Sequence, residues 1–168
     1  ENTQRNLVSY EFSNPHIFNS QIATKFYFAD TSDGRDTIVD ISHPFYSLET
    51  PWSAGFYTQD VSQELPIRHM DEEINEFRHQ SMSNRMFFGI ATDIQDNHTH
   101  RWVVGISNEE DQFYPTEDTL MPIPEPRKLV YPWIEYQFLQ NRYGVFKNIN
   151  QIQRPEDVAL GHNLSFRF

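Results

Sequence analysis

Two histidines, His98 and His100 in the stretch QDNHTH, are the residues best placed by type and spacing to do chemistry. Two positions apart on a strand, both imidazoles point to one side. Asp93 or Asp96 would add a carboxylate and complete a nitrogen-and-oxygen set of the kind that holds a transition metal. The plainer reading is a solvated turn, and the sequence favours it. The acidic runs Asp71-Glu72-Glu73 and Glu109-Glu110-Asp111 offer oxygen ligands of the type Ca²⁺ takes, but without the spacing or the glycine of an EF-hand. They read as solvated acidic loops. Glu156 and Asp157 are adjacent, so on a strand they face opposite ways and do not make an acid/base pair. His69 and His79 have no ligand spacing. There is no G-x-S-x-G, no P-loop and no G-x-G-x-x-G. The chain has no cysteine, which excludes disulfides, thiolate metal sites and a cysteine nucleophile. We therefore expect no enzyme, no catalytic residue, no cofactor and no metal.

The whole composition narrows the partners. A formal net charge of -11 over 168 residues argues against a nucleic-acid binder, which needs clustered Lys and Arg. It also disfavours simple electrostatic docking on anionic lipid. No run approaches the ~18 apolar residues of a spanning helix. A membrane β-barrel would escape that test, because its strands need only about ten alternating residues. Aromatic residues make up 15% of the chain, yet the mean hydropathy is -0.68. Many aromatics in a polar chain is what two-faced strands produce.

The elements that would position these residues are strands. In QIATKFYFAD, Ile22, Phe26 and Phe28 oppose Gln21, Lys25 and Tyr27, and an Asp-Gly hairpin signal follows at 33–34. WSAGFYTQD sets Trp52, Ala54 and Phe56 against Ser53, Gly55 and Tyr57. Residues 61–73 read as a polar loop, and MDEEINEFRHQSM carries a weak helical spacing of Met70, Ile74 and Phe77. NEFRHQSMSNRMFFGIATDI reads as one long strand, and RWVVGISNEEDQF puts Trp102, Val104 and Ile106 on one face. Residues 114–127 hold four of the ten prolines and read as a loop. In LVYPWIEYQFLQ, Val130, Ile134, Tyr136 and Phe138 oppose Tyr131, Trp133, Glu135 and Gln137, with Pro132 marking a bulge, an edge or a strand end. With no crossover helices, this predicts an all-β fold in one domain over 1–168: an antiparallel meander of about eight strands, part of an up-and-down β-barrel or a small one in itself. The alternation of Leu164, Phe166 and Phe168 against Asn163, Ser165 and Arg167 reads as an internal strand awaiting a neighbour. The other reading is that this strand pairs with the first and closes a small barrel or sandwich.

The order of these pieces resembles the barrel of the BamA/TamA-type bacterial surface antigens, the outer-membrane assembly family. The likeness rests on His43-Pro44-Phe45-Tyr46, Trp52-Ser53-Ala54-Gly55, RWVVGISNEEDQF, LVYPWIEYQF and RPEDVALGHNLSFRF. It covers nearly the whole chain and corresponds to a partial barrel, roughly the first half of sixteen strands. The family's V-R-G-F/Y lumenal loop and closing strand have no counterpart here. The resemblance implies a bacterial outer-membrane location, contact with the lipid bilayer or detergent, and client outer-membrane polypeptides. It also implies that the 14–18 and 44–51 turns face the periplasm.

Phe26, Phe28, Trp52, Phe56, Trp102 and Trp133 are then the candidate site residues, either facing lipid in interfacial girdles or packed in a core. The polar alternate face (Gln21, Lys25, Gln59, Asn163, Arg167) suits a water-filled lumen or ordinary solvent. A soluble all-β binding module, for instance one stacking on carbohydrate through Trp102 or Trp133, uses the same alternation. In that case the chain is exported or of unknown location.

Overall fold

The computed structural model describes residues 7–70, 72–95, 97–141, 143–147, 155–159 and 161–168. Asp96, an alternative ligand, and the side chains of Glu156 and Asp157 lie outside the described residues. The strands are β1 (Leu7–Asn14), β2 (Ala23–Thr31), β3 (Gly34–His43), β4 (Trp52–His69), β5 (Glu72–Gln95), β6 (His98–Pro115), β7 (Arg127–Gln140), β8 (Tyr143–Lys147), β9 (Pro155–Ala159) and β10 (Asn163–Arg167). One eight-stranded sheet has the order β1-β2-β3-β4-β5-β6-β7-β10, and β8 and β9 pair antiparallel by themselves. The only helical piece among the described residues is a 3-10 turn at Ile17–Asn19. The all-β antiparallel meander expected from the sequence is what forms.

β1 pairs with β2 and β10 with β7, so the sheet is open. The closed small barrel, with the last strand on the first, does not form. The 61–73 loop is also corrected: β4 runs to His69 and β5 starts at Glu72, so most of the stretch is strand. Polar residues on both faces made a strand look like a loop, because alternation, not polarity, marks the extended chain. The same extension puts residues 72–82 of MDEEINEFRHQSM in the start of β5 rather than in a helix, and Asp71 lies outside the described residues. Glu109, Glu110 and Asp111 are strand residues of β6, not a solvated loop. Gln21 precedes β2 and belongs to no strand face.

Pro132 and Pro66, inside β7 and β4, lie beyond the paired stretches of β10 and β3. Ile134 N–H bonds Phe168 O across to β10 at 3.0 Å. Pro132, two residues back, turns its nitrogen to the same side, beyond the stretch of β7 that β10 covers (Glu135–Leu139, with Ile134 adjoining). Glu64 N–H bonds Asp33 O at the tip of the β2–β3 hairpin, at 2.8 Å. Pro66, two further on, points past that tip. The hairpin itself turns on Ser32 and Asp33, with Thr31 opposite Gly34. Gly34 has no positive φ. It is required because a Cβ there would lie 1.9 Å from Ser62 O on β4.

Contacts group the chain into two compact units: Glu1–Pro44 with Ala54–Phe87 and Gly105–Pro132, and Phe45–Ser53 with Phe88–Val104 and Trp133–Phe168. In the first, Asn75 is buried, and its Oδ1 accepts Leu120 and Met121 N–H at 2.8 and 3.0 Å, pinning the Pro-rich loop onto β5. In the second, the loop after β3 folds over β5 and β6. Phe45 lies against Gly89, where a Cβ would come within 3.1 Å of its ring, and Arg101 stacks on Phe45 at 4.3 Å while donating to Ser47 O.

Candidate functional site

Register fixes which side chains share a face, since directly paired residues point the same way. Phe12, Phe26, Val39 and Thr58 form one such row, and Thr24, Ile41 and Phe56 another. Along β4 the period of two adds Trp52 and Ala54 to this face; β2 adds Phe28. Most of the large apolar members of these rows are exposed: Tyr10, Phe12, Phe26, Ile41, Trp52 and Phe56. On β5 the exposed apolar residues include a run of Met82, Met86, Phe88 and Ile90, with Ile94 beyond it, and on β6 a run of Trp102, Val104 and Ile106, with Tyr114 further along. β7 and β10 continue the pattern with Val130, Ile134, Leu164 and Phe166. The one polar interruption on β5, Asn84, accepts a hydrogen bond from Thr58 Oγ1 at 2.7 Å, so the two satisfy each other.

Along the middle of the strands the alternate positions are the inverse, whereas toward the strand ends Leu7, Ile67, Leu129 and Tyr131 are exposed at alternate positions. Ser53, Asn75, Thr99, Arg101, Ser107 and Glu135 are buried polar groups. The buried apolar side chains among the described residues are only Ala29, Phe77, Val103 and Trp133, and each stands at an alternate position too. Polar groups here bond one another: Gln59 donates to Asp36 at 3.2 Å, and Arg85 stacks over Tyr57. Around Glu135, which is 7% exposed, Arg167 Nε donates to Oε2 at 2.6 Å, and Arg167 Nη2 donates to it as well. Ser165 Oγ and Gln137 Nε2 donate to Oε1 at 2.9 and 2.7 Å. Arg167 also lies 4.4 Å over the Trp133 ring. Further along β6, Asp111 accepts from His79 at 3.0 Å and from Arg127 at 3.0 Å. The His79 bond first, and then Arg127, hold its carboxyl below the ordinary range against the opposing effect of burial.

Five of the six candidate residues, Phe26, Phe28, Trp52, Phe56 and Trp102, therefore stand on one face, with Phe28 half-buried. Trp133 does not join them. It is 8% exposed against 43% for Trp52 and 44% for Trp102, and it belongs with Glu135 and Arg167. Of the polar residues expected opposite, Gln59 and Arg167 are in these networks, and Lys25 reaches Glu11 at 3.6 Å.

The apolar run also shifts along the strands. Tyr10, the middle of the β1 run, is in line with Phe28, Thr37 and Asp60. The β4 run, Trp52–Phe56, is centred on Ala54, six residues nearer the β3–β4 loop. The runs on β2 and β3 shift the same way. Six residues over three strand spacings is about 20 Å against about 14 Å, a slant of roughly 55°, steeper than the 35–45° tilt of barrel strands.

At one end of β5 and β6, separate from these networks, the structure brings together Asp93, His98 and His100. The metal-ligating atoms lie within 4.8 Å of one another. The sequence left these residues as a solvated turn; what it could not show is that Asp93 has φ 50, which breaks the alternation of β5. Comparison with protein families, with characterised proteins and with solved structures finds no match.

Proposed function

We propose that the chain is a segment of a bacterial outer-membrane β-barrel, similar to the proteins that insert or transport outer-membrane polypeptides. The observation that carries this reading is the inversion of burial. The exposed middles of the strands carry aromatic and aliphatic residues such as Phe26, Trp52, Met86, Phe88, Trp102 and Val104, while alternate, covered positions hold Ser53, Thr99, Arg101, Ser107 and Glu135. In water such a sheet would be the wrong way out, because burial of apolar surface is worth about 25 cal/mol per Å² and these rings forgo it. In a bilayer the outward face meets hydrocarbon and the inward face meets water. The run from Met82 to Ile90 is eight steps, about 26 Å along the strand, close to the length a tilted spanning strand needs. The belt is slanted to the strands rather than square to them, the sense of offset that tilted strands crossing a flat slab require.

The assembly role rests on the resemblance. The mechanism the resemblance implies is a barrel with a separable seam, whose strand edges offer backbone pairing to a client strand. The mechanism is physical, with no covalent chemistry. A soluble binding module asks for Trp102 and Trp133 in one core, and they stand on opposite faces.

Three tryptophans make the test simple. The chain is folded into vesicles containing lipids brominated along the acyl chain, and tryptophan fluorescence is read. Trp133→Phe, which keeps Trp52 and Trp102, should be strongly quenched; the double variant Trp52→Phe/Trp102→Phe, which keeps Trp133, should be quenched little. Equal quenching of both, or none of either, refutes the lipid-facing assignment.

A further inference from the structure

The geometry points to a divalent transition-metal site made by Asp93, His98 and His100 at the β5–β6 turn, and nothing in the membrane reading is needed for it. Three observations carry it. First, the imidazole Nε2 atoms of His98 and His100 lie 3.4 and 3.8 Å from the same oxygen, Asp93 Oδ2. Those distances exceed the 2.7–3.2 Å of a good N–H···O bond. The three atoms surround a point more than they bond one another.

Second, every ligand is held from behind. His98 Nδ1 is 2.9 Å from Asn97 Oδ1, and His100 Nδ1 is 2.7 Å from the Tyr136 hydroxyl. With Nδ1–H donated to those acceptors, each Nε2 keeps its lone pair toward the centre. Gln95 Nε2 donates to Asp93 Oδ1 at 3.0 Å, leaving Oδ2 free to ligate. This is the outer shell that fixes tautomer and orientation in metal sites. Phe138, 5.0 Å from the His100 ring, walls one side.

Third, the backbone is bent to bring the carboxylate in. By strict alternation Asp93 would project with Ala91, away from the face that carries His98 and His100. The left-handed φ of 50° at Asp93 breaks that phase and puts Oδ2 beside both imidazoles. A left-handed residue at the end of a strand pair re-aims its side chain in this way.

Two imidazoles and one carboxylate suit Zn²⁺, Ni²⁺, Cu²⁺ or Fe²⁺ and discriminate against Mg²⁺ and Ca²⁺, which prefer oxygen. Bonds of 2.0–2.2 Å would draw the ligand atoms to roughly 3.3 Å apart. Water would complete the coordination. Through Tyr136 a bound ion ties the β5–β6 turn to β7.

Zn²⁺ alone is the probe, titrated calorimetrically into the folded chain, with Cu²⁺ added separately for electron paramagnetic resonance. The expected result is one saturable Zn²⁺ per chain, no competition by Mg²⁺ or Ca²⁺, and a Cu²⁺ spectrum with coupling to two nitrogens. His98→Ala and His100→Ala should each weaken Zn²⁺ binding more than about ten-fold, and Tyr136→Phe, which removes only an outer-shell contact, by about ten-fold. Asp93→Asn keeps the shape of the turn and should weaken binding as the histidine variants do, with an unchanged far-UV spectrum. Absence of saturable binding in the wild type overturns the site. So does an unchanged affinity in the His98→Ala/His100→Ala double variant, which would assign the ion to other histidines.

Discussion

Placing an arginine at the middle of the exposed belt separates a lipid face from a solvent face by energy as well as by sign. Met86 lies midway between Met82 and Ile90 and is 57% exposed. It is four residues, about 13 Å along the strand, from either end of the run. An arginine at the midplane of the lipid face of a barrel costs about 2–4 kcal/mol, falling to about 0–1 near the interfaces. Met86→Arg should therefore lower the folding constant in vesicles by roughly 30- to 900-fold, while Met82→Arg and Ile90→Arg should cost little. Gln59→Lys is the control on the opposite face: it replaces an amide that donates to Asp36 with an ammonium that can do the same, and should change stability by less than about 1 kcal/mol. The assay is equilibrium unfolding in denaturant with vesicles present, read by far-UV circular dichroism. On a water-exposed surface Met86→Arg would be near neutral. A flat profile across 82, 86 and 90, or a penalty at 59 equal to that at 86, refutes the reasoning.

Other consequences are local. Gly34→Ala drives a Cβ into the Ser62 carbonyl, backbone against backbone, and should destabilise by more than about 2 kcal/mol. Gly89→Ala meets only side chains, Val103 and Phe45 at 3.0–3.1 Å, and should cost less; the two denaturation midpoints compare them. Glu135→Ala leaves Arg167, Ser165 and Gln137 without their shared acceptor and should cost about 1–3 kcal/mol. Asp111 has a folded-state pKa below its ordinary 3.8, so the stability it adds is present above that value and is lost as pH falls through the folded one. Asp111→Asn should flatten the acid limb of the stability curve below about pH 4 and leave the rest of its shape unchanged.

How much of this was legible in the sequence depended on one rule, the alternation of faces. Where the rule ran unbroken it gave the fold class, the long β5 and the shared face of Phe26, Phe28, Trp52, Phe56 and Trp102. It could not say which face was covered. An aromatic row packed in a core and an aromatic row facing outward have the same period, and only burial of the opposite row, Ser53, Arg101, Ser107 and Glu135, separates them. Trp133 shows the cost of grouping by residue type. Its own period with Glu135 and Gln137 already set it apart from Ile134 and Tyr136, but its being a tryptophan drew it to Trp52 and Trp102.

Residue type also hid the extended strands. Between Val61 and His69 no face is apolar throughout, so hydropathy saw a loop, yet Val61, Ser62 and Gln63 are paired with Asp36, Arg35 and Gly34. Backbone pairing needs no side-chain hydrophobicity, and β4 continues for as long as β3 and β5 can satisfy its N–H and C=O groups. The low mean hydropathy follows from this: strands that overrun a short apolar belt carry polar residues on both faces beyond it. Asp93 is the case where the rule itself misleads. Counting by two sends its carboxylate away from the histidines, and a single left-handed residue reverses that. Aspartate is among the few side chains that take this conformation at little cost, so a lone aspartate three residues before a hairpin turn is a signal that alternation should be recounted from the other side of it.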